Sequence, residues 1–135
     1  MKFILDNNLS KFLARALAAL CEPDGVTVTH LADKFPDNPL DIDWIQALAE
    51  EGRWVIISHD RFHKNPLEKE ALRRAGLTVF VLKKAWASQR NWEKATQLIR
   101  WWPRIMEQAD LVSGGAVFEV QYRFTGKGRF QQVQI

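Results

Sequence analysis

The stretch that decides the fold is WVIISHD, at residues 54–60. It begins with a continuous apolar run, and such a run is typical of a strand that is covered on both faces. The run ends abruptly in polar residues, the last of which is Asp60. A second short apolar run, at residues 3–5, ends in the same way at Asp6. The sequence therefore predicts two buried strands that each end in an aspartate.

Helical patterns separate further strands along the chain. We predict additional strands at residues 26–31 and 78–82, and helices at about residues 10–20, 41–51 and 66–75. The first helix has Ser10 or Asn8 as its candidate N-cap, and the second has Asp41 or Asp43. Strands that alternate with helices are typical of an α/β fold with a mostly parallel central sheet.

The C-terminal third differs from this alternation. An amphipathic helix is predicted over about residues 91–109, with Trp92 and Trp102 among its apolar positions and Trp101 next to Trp102. Pro103 lies inside it and is expected to kink or break it, because proline lacks the backbone N–H that a helix interior uses. Of the adjacent pair, we expect one indole to be exposed, since neighbouring helical side chains point about 100° apart.

Two alternating segments, at residues 117–124 and 130–135, flank a turn at residues 125–128 and predict a β-hairpin. Its outer strand would be open to pairing, so we keep a homodimer as an expectation. The predicted division is one domain at residues 1–110 and a hairpin extension packed on it at residues 111–135.

Length and composition indicate one ordinary globular domain. The chain has 135 residues, of which 47% are hydrophobic and 26% are charged. The single cysteine, Cys21, excludes an internal disulfide, and neither a signal peptide nor a membrane span is expected. These features favour a cytoplasmic protein with no membrane partner. The net charge of +3 is too small to argue for nucleic acid by itself.

Acidic residues are predicted to converge at one edge of the sheet. Ligands of open parallel sheets bind at the carboxyl ends of the strands, where Asp6 and Asp60 are expected. Asp41 and Asp43 begin the helix that precedes the second of these strands. Converging carboxylates repel one another unless a cation neutralises them, and oxygen ligands prefer Mg²⁺ or Mn²⁺. Such an ion supports phosphodiester hydrolysis.

Other roles for these acids stay open at this point. Asp41 or Asp43 could serve only as an N-cap. Asp60 could begin a solvated turn, and Asp6 could form an Asx turn between its strand and the next helix. The convergence of all three acidic segments, which depends on the predicted fold, is what favours a metal site.

Three segments together resemble a known family. ILDNNLS at residues 4–10, DIDW at residues 41–44 and VIISHDRF at residues 55–62 resemble the PIN-like nucleases. The nearest group is the small PIN-like proteins that are grouped with VapC-type toxins of bacterial toxin–antitoxin pairs. The resemblance covers roughly residues 1–105. It implies a PIN-like three-layer α/β sandwich and a ribonuclease that uses Mg²⁺ or Mn²⁺, with RNA as substrate and an antitoxin as protein partner.

Position by position, the resemblance makes Asp6 the first metal ligand and catalytic acid. Asp41 matches the second acid through its spacing to Trp44, with Asp43 as its rival. Asp60 matches the acid of the family's strand-Ser/Thr-x-Asp motif. These four aspartates are the predicted metal ligands, and the three with a family match are the predicted catalytic residues.

Ser58 and Asn8 resemble the family's supporting polar residues. The family often has another acid just after the position of Asp60, but Arg61 stands there in this chain. Glu68 could substitute from the next helix. Without a fourth acid, a catalytically degenerate binding module is the alternative to an enzyme. A phosphatase-like hydrolase is disfavoured, because that chemistry needs a second aspartate where Asn8 stands.

Basic side chains follow the third acidic segment. Arg61, Lys64 and Arg73 are the predicted RNA-binding residues, since Lys and Arg contacts to phosphates give sequence-independent affinity. The alternative is an ordinary solvated helix face. His59 and His63 are not expected to bind the metal, because Mg²⁺ prefers oxygen ligands.

Overall fold

The computed structural model describes residues 1–62 and 64–134. The described strands are β1 (Lys2–Leu5), β2 (Thr27–His30), β3 (Trp54–Ser58), β4 (Thr78–Leu82), β5 (Val117–Val120) and β6 (Gln131–Val133). They form one sheet in the order β2-β1-β3-β4-β5-β6, in which β1 to β5 are parallel and β6 is antiparallel to β5. The predicted α/β class with a mostly parallel sheet is confirmed.

The described helices are α1 (Lys11–Cys21), α2 (Leu31–Lys34), α3 (Asp41–Glu51), α4 (Pro66–Ala75), α5 (Lys84–Ala87) and α6 (Asn91–Leu111). They cover both faces of the sheet and leave a hydrophobic core on each side. Strand β1 shows the division: Phe3 and Leu5 point to the core formed with α1 and α6, and Ile4 points to the core formed with α3 and α4. Burial on both faces explains why the central strands are continuous apolar runs.

Helix α1 begins at a serine cap. Ser10 Oγ accepts hydrogen bonds from the backbone N–H groups of Phe12, at 3.1 Å, and Leu13. Ser10 was one of the two predicted caps, and Asn8, the other, does not cap the helix. Asn65 likewise caps α4 by accepting a 2.9 Å hydrogen bond from Leu67 N, with Pro66 at the first helical position.

Helix α3 begins differently from the prediction. Its N-cap is Leu40, and no side chain caps it. Asp41 and Asp43 both lie inside its first turn, where negative charge interacts favourably with the helix dipole. The role of N-cap, which we kept open for these two aspartates, is therefore wrong.

Helix α6 continues through Pro103, so a break at this proline, one of the two predicted outcomes, is wrong. Tertiary packing of the two tryptophans that precede the proline stabilises the helix there. Trp101 lies 4.7 Å from the ring of Phe124, and Trp102 lies 4.7 Å from the ring of Phe3 and donates its indole N–H to Cys21 Sγ at 3.1 Å.

Both indoles of the adjacent pair are buried, so the expectation of one exposed ring is wrong. The exposed tryptophan of this helix is Trp92, which is 82% exposed although we placed it among the apolar positions. None of the helices that the structure describes is long and apolar enough to span a bilayer.

The final segment completes the same sheet. Strand β5 pairs with β4 in parallel and β6 pairs antiparallel with β5, so the predicted pair of C-terminal strands is confirmed. Their connection differs, because β5 ends at Val120 and residues 121–130 leave the sheet to cover α6. Tyr122 packs edge-on against Trp86 at 5.0 Å, which explains why this apolar alternation does not extend the strand. The division at residue 110 stays a prediction.

The connection between β5 and β6 contains a sensitive glycine. Gly128 has a φ of +78°, and a Cβ there would lie 2.8 Å from the ring of Phe124. Gly126 has a similar φ of +59° but open space around its Cα. The two glycines therefore share the strain of the left-handed backbone and differ in steric contact.

We predict that Gly128→Ala lowers the free energy of unfolding by about 1–3 kcal/mol more than Gly126→Ala does, because the added methyl group overpacks a filled site. Urea unfolding of the two variants and the parent protein would measure the difference. Equal losses would show that the ring moves aside at no cost.

Candidate active site

The candidate site lies where the strand order of the sheet reverses. The chain passes from β1 outward to β2 and then crosses back to β3 on the other side of β1. In open α/β sheets such a switch point opens a crevice at the carboxyl ends of the two strands. Asp6 follows β1 and Asp60 follows β3, and Asp6 N donates a 3.0 Å hydrogen bond to Ile57 O. The fold thus places these two segments side by side.

A chain of hydrogen bonds joins the two segments. Ser58 Oγ donates to Asp6 Oδ2 at 2.7 Å and accepts from Asp60 N at 2.9 Å. Ser58 is fully buried, so its hydroxyl has few alternative conformations. The Ser-x-Asp spacing therefore has a local cause: one hydroxyl orients the carboxylate of the first strand and the backbone of the second.

Each carboxylate is also held by a neighbouring backbone N–H. Asn7 N donates to Asp6 Oδ1 at 2.7 Å, and Phe62 N donates to Asp60 Oδ1 at 2.8 Å. The latter contact is an Asx turn, so the turn alternative for Asp60 is present in the structure. It does not consume the carboxylate, because an ionised carboxylate has about four acceptor positions.

Asp41 faces this rim from the start of α3. The buried indole of Trp44 donates its N–H to Asp41 Oδ1 at 2.9 Å and so orients the carboxylate. The charge of Asp41 acts on Asp6 and raises the pKa of that carboxyl. Asp43 is exposed on the same helix. The structure thus brings Asp41, and not its rival, towards Asp6.

Asp6 has its pKa raised above the usual value for an aspartate. The largest cause is burial, since the residue is only 9% exposed and a charge there loses hydration. The hydrogen bonds from Ser58 and Asn7 oppose this and lower the pKa, whereas the negative charges of Asp41 and Asp60 raise it. Like charges therefore converge on a carboxyl that is already poorly solvated.

Glu68 joins this group from the first turn of α4. Its pKa is also raised, first by burial, then by a hydrogen bond shared with Asp41 and by the charges of Asp41 and Asp60. Both Asp41 and Glu68 line a shallow depression of about 340 Å³ between α3 and α4. The structure thus places the residue that we suggested as a substitute acid next to Asp41.

The donor set fits a hard divalent cation. The converging ligands are all carboxylate oxygens, and after burial the negative charges of Asp41 and Asp60 also raise the pKa values of Asp6 and Glu68. Over residues 1–62 and 64–134, no three Asp, Glu, His or Cys side chains are close enough, as they stand, to hold an ion together. Mg²⁺ commonly takes only one or two carboxylates directly and keeps waters for the rest.

The other predicted site residues have varied positions. Asn8 is exposed in the turn after Asp6. Arg61 extends a weak 3.4 Å contact to Gln134 O, and Lys64 is exposed. Arg73 lies on α4 and pairs with Glu70 at 2.8 Å, so it is partly engaged within its own helix. His63, which we did not expect to bind the metal, lies outside the described residues.

Two histidines near the rim have different environments. His30 is buried and bridges Leu9 O, at 2.7 Å from Nε2, and Ala32 N, at 3.0 Å from Nδ1, which is a structural role. His59 has a pKa lowered by burial and by the charge of Lys94. Its Nε2 is buried with no hydrogen-bond partner in the described part of the chain. Sequence reasoning missed this effect of charge, because Lys94 follows 35 positions later, on helix α6.

Comparison with known proteins identifies the family. A family model described as "PIN like domain" matches residues 1–84, which include all four aspartates and Glu68. Because the match covers more than half of the 135 residues, the chain belongs to the PIN-like domain family. No curated protein and no solved structure gives a significant match. The six-stranded sheet with helices on both faces is consistent with the PIN-like fold, a nuclease-type fold.

The raised pKa of Asp6 predicts how the site affects stability. A raised folded-state pKa contributes stability below the unfolded pKa of about 3.9, and this stability is lost as pH rises through the folded value. We predict that Asp6→Asn removes part of this loss, so that the free energy of unfolding of the metal-free variant falls less than that of the parent between pH 4 and neutrality. Denaturant unfolding at a series of pH values in EDTA would measure it.

The matched control is Asp43→Asn, which removes an exposed carboxylate from the first turn of α3. It should keep the pH dependence of the parent. If Asp6→Asn and the parent have parallel stability profiles, the charge of Asp6 does not strain the fold.

Proposed function

We propose that the protein is a metal-dependent ribonuclease that hydrolyses RNA phosphodiester bonds. The observation that carries the proposal is the hydrogen-bonded chain Asp6–Ser58–Asp60 at the switch point of a PIN-like domain. Asp41 and Glu68 add their charges to the same rim. Carboxylates that converge at this edge can bind a cation. Without a cation, their mutual repulsion destabilises the fold.

Asp6, Asp41 and Asp60 would hold Mg²⁺ or Mn²⁺, the ions that PIN domains typically use, with Glu68 as the fourth acid. When bound, such an ion activates water and offsets the negative charge that builds on a phosphoryl group. The chain's own residues orient the ligands: Ser58 holds one oxygen of Asp6, and the Trp44 indole holds Asp41. This preorganisation reduces the rearrangement that binding requires.

The raised pKa of Glu68 adds a detail to this mechanism. Burial and the neighbouring charges of Asp41 and Asp60 make its carboxyl group hold a proton more readily than an exposed glutamate does. Ligation requires the ionised form, and metal binding is therefore expected to release a proton. The released proton would leave Glu68 as an ionised group at the edge of the depression between α3 and α4, where it could accept a proton from water.

We further propose that this ribonuclease is the toxin of a toxin–antitoxin pair and that it acts in the cytoplasm. The support is the resemblance of the three acidic segments to PIN-like proteins grouped with VapC-type toxins. An antitoxin protein and a second copy of the chain are the protein partners that this role implies. A neighbouring gene for a small DNA-binding protein would support the toxin role.

A non-catalytic binding module on the same fold is the second candidate. The observation that favours it is that the acidic side chains, as they stand, do not form a three-ligand cluster in the described part of the chain. It predicts neither RNA cleavage nor stabilisation by Mn²⁺. A titration with millimolar Mn²⁺ followed by thermal unfolding separates the two candidates.

The proposed chemistry predicts that Asp6→Asn and Asp60→Asn each lower RNA cleavage by about 100-fold or more, because each removes a charged ligand from the ion. Cleavage of a labelled single-stranded RNA in Mg²⁺ or Mn²⁺ would measure the loss. Asp43→Asn serves as the control and should retain nearly full activity. Unchanged cleavage by the first two variants, with the protein folded, would refute the site assignment.

The role of Glu68 can be tested on metal affinity. We predict that Glu68→Gln weakens Mn²⁺ binding by about 10-fold, since it removes one negative charge from the rim. Isothermal titration calorimetry would measure the dissociation constant. Glu70→Gln is the matched control on the same helix, because Glu70 pairs with Arg73 and Arg74 and not with the acidic group. If the two substitutions change the dissociation constant equally, Glu68 does not contribute to the metal site.

A further inference from the structure

Positive charge is concentrated in two segments, residues 83–100 and 121–130. Together they contain eight Lys or Arg residues and one acid, Glu93. The whole chain has 19 basic and 16 acidic residues, so the remainder carries 11 basic and 15 acidic residues. The net charge of +3 therefore hides a separation into a strongly basic part and an acidic part.

The fold packs the two basic segments against each other through Tyr122. The backbone carbonyl of Tyr122 accepts hydrogen bonds from Gln97 Nε2 and from the indole of Trp101, the latter at 3.3 Å. Its ring packs on Trp86, and its hydroxyl donates to Glu93 O at 3.3 Å. Residues far apart in sequence thus form one continuous surface, and the tyrosine also engages the backbone of the only acid in the two segments.

A shallow depression of about 550 Å³ lies on this surface. Its wall carries three exposed cations, Lys83, Lys84 and Arg123, together with the polar side chains of Gln89 and Gln121. None of these three cations takes part in an ion pair within the described residues. A concave surface with three such cations is complementary to a chain of phosphates.

This surface is continuous with the candidate active site. Strands β4 and β5 are parallel to β1 and β3, so Lys83, just after β4, lies at the same edge of the sheet as Asp6. Lys83 N donates a 3.0 Å hydrogen bond to Val120 O, which joins the ends of β4 and β5. Lys94 lies near the start of α6, directly after Glu93, whose backbone carbonyl accepts a hydrogen bond from the hydroxyl of Tyr122 in the second basic segment.

An exposed aromatic ring lies within the first of the two basic segments. Trp92 is 82% exposed, whereas each of the other five tryptophans is at most 6% exposed. It lies in the first turn of α6, between Arg90 and Lys94 in sequence. A large, mostly exposed indole that lies between two cations in the sequence has the features of a platform on which an unpaired base stacks.

We propose that Lys83, Lys84, Lys94, Arg123 and Trp92, here called the basic surface, bind the single-stranded RNA that extends from the scissile phosphate. The four cations contact successive phosphates, and Trp92 stacks on a base. The proposal rests on the proposed ribonuclease function and adds to it where the substrate lies. Stacking and phosphate contacts make the binding tolerant of sequence, and the exposed indole favours an unpaired strand over a duplex.

The test is fluorescence anisotropy of a short fluorescein-labelled oligoribonucleotide with the full chain in EDTA, where binding is measured without cleavage. We expect Lys84→Gln, Lys94→Gln and Arg123→Gln each to weaken binding several-fold. Each should also lower the slope of log K against log salt by about 0.7, the value for one phosphate contact of a single strand. Arg53→Gln is the charge-matched control, because Arg53 precedes β3 at the opposite edge of the sheet.

The aromatic contact has its own matched pair. Trp92→Leu should weaken binding by about 5-fold or more, and Trp92→Phe should retain most of the affinity, because both substitutions keep an apolar side chain but only one keeps a ring. Equal effects of the two would overturn the stacking contact. Equal affinity for a duplex RNA or for polyglutamate would also overturn the proposal, since it would identify a surface that responds to charge alone.

The outcome is separable from that of the ribonuclease proposal. Asp6→Asn should lose cleavage without weakening metal-free RNA binding, because it removes a negative charge and Asp6 is outside the basic surface. If the glutamine variants bind RNA as the parent does while the parent still cleaves RNA, the basic surface is wrong and the ribonuclease function stands. If the parent binds through this surface but does not cleave in Mg²⁺ or Mn²⁺, the basic surface stands and the ribonuclease function fails.

Discussion

The arrangement of the candidate site depends on the parallel pairing of β1 with β3. The register places Leu5 opposite Ile57, so the residues that follow each strand emerge at the same level of the sheet. The buried hydroxyl of Ser58 can then reach Asp6 at 2.7 Å. In parallel strands, a shift of one residue would turn these side chains to the opposite face. The apolar packing that sets the strand register therefore also sets the geometry of the carboxylates.

Sequence predicted the parts of the fold that local chemistry decides. Strand β3 and helix α4 were predicted closely, because an uninterrupted apolar run and an Asn-Pro start with a Gly end are local signals. Residues 121–130 were not, since Tyr122 packs on Trp86 of α5 and Phe124 packs on Trp101 of α6 rather than on a neighbouring strand. In the site, the order of the acids along the chain could be predicted. The choice of Asp41 over Asp43 needed the structure, in which the buried Trp44 indole donates a hydrogen bond to Asp41.

The charge distribution lowers the stability of the fold and also favours binding of a polyanion. Carboxyl groups whose pKa values are raised oppose folding at neutral pH, and the protein retains them at the edge where its strand order reverses. Next to this acidic group, residues 83–100 and 121–130 supply an excess of cations. The positive potential of the basic segments would hold a polyanion close to the acidic group. A divalent ion would neutralise the carboxylates where the polyanion meets them.

The contact between Trp102 and Cys21 has a practical consequence. The only thiol of the chain is 2% exposed and accepts the indole N–H, so thiol reagents have little access to it while the protein is folded. The native cysteine should therefore not react when a thiol reagent is used to label another position of the folded protein. A cysteine introduced at an exposed position such as Ser88 could carry a fluorophore or spin label alone, and distances within the folded protein could be followed without removing the native cysteine.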